Sequence, residues 1–174
     1  LPNLIGGIVL SYIWLMIFNS VLSNFSKTIV STQWYAFWGM IIVVCWQQIG
    51  YMMIIYIAGI QNIPGELIEA AKIDGANSWQ LLRYVTLPML MPTITICTFL
   101  TLTNGFKLFD QNFALTGGNP AKMSQLLALN IYDTMYGTTG WQGVGQAKAV
   151  IFFILVAVIA LIQNKLTTSK EVQD

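Results

Sequence analysis

The sequence predicts an all-α membrane protein, a multi-span helical bundle, and three observations carry that prediction. Of its 174 residues, 56% are hydrophobic and only 9% are charged, against about 25% charged in ordinary soluble domains. Its mean hydropathy is +0.66. Its apolar residues gather into four runs with little or no charge, each close to or above the roughly 20 residues a helix needs to cross the hydrocarbon core. In lipid an isolated apolar strand cannot satisfy its backbone hydrogen bonds, so each run is expected as a helix.

The elements follow in order. The first span is read at 4–22 and leads into a short polar hairpin, 23–33. The second span is read at 34–60, opened by Trp34, Tyr35 and Trp38, which suit the headgroup region. A polar elbow occupies 61–83. Pro64 suits a first helical turn. Glu66 and Glu69 follow where negative charge favours a helix start. Gly75 is placed as the stop, because it takes a positive φ without strain. Asn77 or Ser78 then caps a second helix. Glu69 and Lys72, at i and i+3, are placed to pair. The third span is read at 84–106, with Pro88 and Pro92 as kinks inside it. The connection 107–143 contains a GGNP turn and a short helix with Gly137 as its stop. That helix carries an apolar stripe of Leu127, Ile131 and Met135 and is expected to pack on the spans as a lid or to contact a partner. The fourth span is read at 144–162, preceded by Tyr136 and Trp141, and the polar tail from 163 is expected to fray.

Composition also excludes functions. A net charge of +1 leaves no electrostatic footprint for nucleic acid. With no histidine, there is no histidine metal ligand or histidine base. Cys45 and Cys97 lie inside apolar runs, where cysteine acts as a small hydrophobe, and their spacing matches no zinc pattern. No GxxxxGK[ST] phosphate cradle occurs, and no Ser-His-Asp or paired-carboxylate set is evident. No catalytic residue, metal ligand or cofactor of the chain's own is therefore expected. The chain starts at Leu1 on apolar sequence with no signal-peptide pattern, and it is expected to be the later part of a longer protein. Charge does not orient it. Lys72, Arg83, Lys165 and Lys170 fall on one side, and Lys27, Lys107, Lys122 and Lys148 on the other.

The elbow has two readings from its residues alone, a solvated connection or a docking surface where small side chains let a partner approach. Glu69-Ala70-Ala71, then Asp74-Gly75-Ala76, then Leu87-Pro88 resembles the EAA motif of the membrane-spanning permease subunits of ABC importers. Leu82 stands where many members carry phenylalanine. LPNLIGGIVLSYIW, YIAGIQNIPGELIEAAKIDGA and FKLFDQNFALTGGNP resemble landmarks of the carbohydrate-uptake branch, so the likeness covers nearly the whole chain. It implies a type I ABC importer transmembrane fold, here with four spans, in the inner membrane of a bacterial cell. It implies that 61–83 and the tail face the cytoplasm and that 23–33 and 107–143 face outward. Glu69, Ala70, Ala71, Asp74, Gly75 and Ala76 would dock on an ATP-hydrolysing subunit. The partners it implies are two such subunits, which would bind ATP and magnesium, a second permease, and an extracytoplasmic solute-binding protein delivering a sugar.

Polar residues within the spans are the candidate solute contacts. Gln47 and Gln48 lie in the second span, with Tyr51 on the face of Gln47. Thr103 and Asn104 close the third span, and Lys107 and Asp110 follow. Amides, hydroxyls and an aromatic ring suit a neutral sugar, and the same groups also serve as hydrogen bonds between helices. Lys107 and Asp110 are also spaced to pair with each other. Two rivals remain at this point: an importer of glycerol phosphate or another polar solute, and a non-transport subunit of a membrane complex.

Overall fold

The computed structural model describes residues 2–168, and every regular element among them is helical. A 3₁₀ turn at Pro2–Leu4 precedes α1 (Gly7–Ser23). Then come α2 (Gln33–Gln61), α3 (Gly65–Ile73), α4 (Ser78–Met89), α5 (Met91–Phe106), α6 (Phe109–Leu115), α7 (Leu127–Tyr136) and α8 (Gln142–Thr168). The residues fall into two compact units, 2–51 with 104–156, and 52–103 with 157–168.

Among the described residues, α2 and α8 are each long and apolar enough to cross a membrane, at 29 and 27 residues. Apolar side chains such as Phe153 and Leu161 point outward from α8, as expected of a helix whose solvent is lipid rather than water. α1 is apolar but has 17 residues, about 25 Å of helix, so it falls short of that length. α8 continues through Thr168. The tail is therefore helical where 163–168 was expected to fray, and the rest of it lies outside the described residues.

The third span is broken between its two prolines, as a bent span or a re-entrant loop. α4 and α5 are bent by 66° at Leu90. The cause is local. Pro88 and Pro92 have no N–H to donate, so two hydrogen bonds are missing from neighbouring turns. Upstream of them the backbone widens into a π-turn over Leu82–Thr86, and the Leu87 N–H donates to the Leu82 carbonyl.

In the first unit the core is Leu10, Met40, Val43 and Leu115, flanked by Trp14, Leu15, Phe18 and Leu126. It joins α1, the first half of α2 and the short α6. The hairpin before α2 folds back on the core. Ile29 is buried, and its N–H donates to the Asn19 side chain at 3.0 Å. The connection to α7 is tied down by Asn112, which is fully buried. Its Nδ2 donates to the Ser124 carbonyl at 2.8 Å and to Thr116 Oγ1 at 2.9 Å, and its Oδ1 accepts from the Leu126 N–H at 2.8 Å.

α7 turns inward a face that overlaps the expected stripe in part, with Ile131 and Met135 half-buried. Leu129 and Thr134 are buried, while Leu127 is exposed. The side chain of Lys148 explains the register, because its Nζ donates to Asn130 Oδ1 at 2.9 Å and Thr134 Oγ1 at 2.8 Å. Among the described residues the ion pair that forms is Lys122–Asp133, at 2.6 Å. The i, i+3 pairs Glu69–Lys72 and Lys107–Asp110 do not close, and exposed pairs of that kind contribute little in any case.

Candidate functional site

The elbow lies within the second unit. Pro64 takes the N-cap position of α3 rather than its first turn, with Glu66 in the first turn and Lys72 in the last. Both charges have the sign the helix dipole favours at their ends. The helix stops at Asp74 and Gly75, and Gly75 has φ +81°. The Gly75 N–H donates to the Lys72 carbonyl at 3.1 Å and the Ala76 N–H to the Ala71 carbonyl at 3.0 Å. Those two bonds make a Schellman stop, which needs a left-handed residue where Gly75 stands. Asn77 then starts α4 with a reciprocal cap. Its Oδ1 accepts from the Gln80 N–H at 2.9 Å, and Gln80 Oε1 accepts from the Asn77 N–H at 2.8 Å.

This elbow is rigid by its own hydrogen bonds, yet α3 has no buried residue. Glu69, Ala70, Asp74 and Gly75 are exposed, and Ala71 and Ala76 are half-buried. Ile73 and Trp79 stand out on either side of the bend, 86% and 67% exposed. Neither was singled out from the sequence. Apolar residues of that size in a polar connection were the available signal.

The candidate solute contacts divide. Gln47 is buried, and its Oε1 accepts from Gln111 Nε2 at 2.8 Å. Asp110 and Gln111 both lie against the start of α1. A Cβ placed on Gly7 would be 2.8 Å from Asp110 Cβ and 3.2 Å from Gln111 Nε2. The Asp110 carboxylate thus sits at the positive end of the α1 dipole. Gln47 and Asp110 are brought together through Gln111, a residue the sequence reading passed over. Its place in the polar run Asp110-Gln111-Asn112 was the clue. Thr103, in the other unit, returns its hydroxyl to the Phe99 carbonyl at 2.9 Å. Gln48, Tyr51, Asn104 and Lys107 make no side-chain hydrogen bond among the described residues, and Gln48 Oε1 is buried without a partner.

Comparison with known proteins bears on this arrangement. Residues 1–170 match the family model described as binding-protein-dependent transport system inner membrane component. The chain is 50% identical, over 99% of its length, to a probable starch degradation products transport system permease protein of Thermoanaerobacterium thermosulfurigenes. It is 34% identical, over 98% of its length, to a multiple sugar-binding transport system permease protein of Streptococcus mutans. It spans 62% of the length of each of these two relatives. A crystal structure of a bacterial ABC transporter involved in import of the acidic polysaccharide alginate superposes with a TM-score of 0.81. The match covers 97% of this chain and 62% of that one at 21% identity, so it speaks to fold.

Proposed function

The chain belongs to the family of binding-protein-dependent transport system inner membrane components, and on that premise we propose that it is part of a sugar-importing permease. It is a membrane component of a transport system rather than an enzyme. In this reading it sits as a multi-pass subunit in a bacterial cell membrane beside a second permease. A solute-binding protein delivers a sugar or oligosaccharide on the outer side, and two ATP-binding subunits drive its passage from the cytoplasm. ATP and magnesium belong to those subunits. The relatives named for starch degradation products and multiple sugars favour a saccharide. A phosphorylated solute would need clustered cations, and among the candidate contacts Lys107 is the one cation.

The observation that carries the reading is the elbow, a self-braced helix with no buried residue and with Ile73 and Trp79 projecting beside its bend. A rigid element that buries nothing of its own can transmit motion from a partner that grips it. Glu69 to Ala76 are assigned to that grip. The 107–143 connection faces outward in this reading. The unpaired groups of Gln48, Tyr51, Asn104 and Lys107 face the solute. Gln47 and Thr103 spend their groups within the protein, and Asp110 marks the helix start beside them.

The test uses the full-length subunit assembled with its partners. Ala70→Cys is expected to crosslink to an ATP-hydrolysing polypeptide. Gly75→Pro and Ala70→Trp are each expected to abolish ATP-dependent uptake while the subunit still inserts. Full uptake in both variants rejects the docking role.

A further inference from the structure

The first turns of α2 and the segment leading into α7 flank an open cavity of about 330 Å³ within the first unit. It is walled by Gln33, Trp34, Phe37 and Met40 on one side and by Met123 and Gln125 on the other. The Trp34 and Phe37 rings meet edge to face with centroids 6.2 Å apart, and Trp34 is 61% exposed. The Gln33 amide and the Trp34 indole N–H make no hydrogen bond among the described residues. Among the described residues no charged side chain lines the cavity. The nearby cation, Lys122, is neutralised by Asp133 at 2.6 Å. Gln125 is held in place, donating to Asp133 at 2.6 Å and accepting from Asn130 at 3.0 Å.

These walls select an occupant. A lipid chain would cover the rings but would offer nothing to the exposed amide and indole N–H beside them. An acidic sugar would bring a carboxylate to a cavity with no free cation. A neutral pyranose has a C–H face for an aromatic ring and a rim of hydroxyls for the amide and the N–H. A volume of this size lies at the small end of ligand sites, suited to one sugar ring or two rather than a long chain. We propose that this cavity binds a neutral pyranose unit of the incoming saccharide, as a station apart from the Gln47 cluster. The proposal rests on the importer reading above.

The test takes the assembled transporter in lipid nanodiscs, without binding protein or nucleotide, with maltotriose as the probe. The emission difference between the native complex and a Trp34→Phe complex isolates Trp34. Maltotriose is expected to change that emission saturably, Gln33→Ala to weaken the effect about tenfold, and trigalacturonate to leave it unchanged. Uptake is measured alongside, with Phe37→Leu expected to raise KM several-fold at a nearly unchanged maximal rate. If the native complex imports maltotriose while Trp34 does not respond to it, the site is rejected and the importer reading stands. Quenching of Trp34 by lipids with brominated chains, undiminished by maltotriose, also rejects it and assigns the ring to the bilayer interface. If no sugar is imported but Trp34 still responds, the site stands and the importer reading falls.

Discussion

The Gln111 side chain donates to the Gln47 carbonyl oxygen at 2.8 Å, linking residues 64 positions apart in the sequence. The bond holds α6 against the middle of α2. Replacing either glutamine by leucine leaves the other amide without this partner, Gln111 half-buried or Gln47 buried, which costs about 1 kcal/mol. Replacing both removes the mismatch. Gln47→Leu and Gln111→Leu should each lower the unfolding midpoint in detergent, and the double variant should recover most of the loss. Additive losses would show that the two side chains do not depend on each other.

Gly75 should resist substitution in proportion to backbone strain. A left-handed φ costs a residue with a Cβ about 1–2 kcal/mol, and asparagine less. Gly75→Val should therefore loosen the elbow more than Gly75→Asn. On the importer reading, the readout is the ratio of sugar moved to ATP hydrolysed in proteoliposomes, which should fall furthest for valine. No atom lies within 4 Å of a Cβ placed there, so steric collision within the chain would not account for the loss.

The cap at Asn77 is expected to contribute about 1 kcal/mol. Asn77→Ala should raise amide hydrogen exchange over 77–81, at the start of α4, and leave α3 protected through its own Schellman stop. Equal loosening of both helices would show that they form as one unit.

Asn112 satisfies three groups at once, the Ser124 carbonyl, Thr116 Oγ1 and the Leu126 N–H. Asn112→Leu strands the Ser124 carbonyl and the Leu126 N–H, while Thr116 Oγ1 keeps its bonds to the backbone carbonyl of residue 112 and Ser124 Oγ, at a cost of about 2 kcal/mol. Limited proteolysis should then cut within 117–126 while α2 and α8 stay intact. Asn112→Asp should fall between the two, since it keeps the acceptor for Leu126 and loses the donors.

Gly145 is buried against α7, and a Cβ placed on it would collide with Met135. Gly145→Val should displace α7 and weaken the Lys148 bonds to Asn130 and Thr134. Met135→Ala should restore much of the lost thermal stability by vacating that space. Failure of the rescue would place the conflict in the backbone rather than in the methionine.

Local signals carried much of this fold. The elbow was legible because Gly75 and Asn77 act over three or four residues, and each takes the conformation its chemistry favours. The spans at α2 and α8 were legible from length and hydropathy. The break at Leu90 was legible as a kink from both prolines, but its size was not. One proline makes a kink a helix can absorb, whereas Pro88 and Pro92 together remove bonds from two adjoining turns. The partner of Gln47 was hidden by its distance along the chain, and no pattern within α2 points to α6. The apolar spacing of α7 gave Ile131 and Met135 but not the deeper burial of Leu129 and Thr134, the latter bonded to Lys148, a residue outside that helix.

The 66° corner at Leu90 has a mechanical corollary. A thrust delivered along α4 would arrive at α5 resolved into two components, and at that angle the larger lies across the axis of α5. Such a joint works as a crank. It turns a lengthwise push into a sideways swing of the next rod.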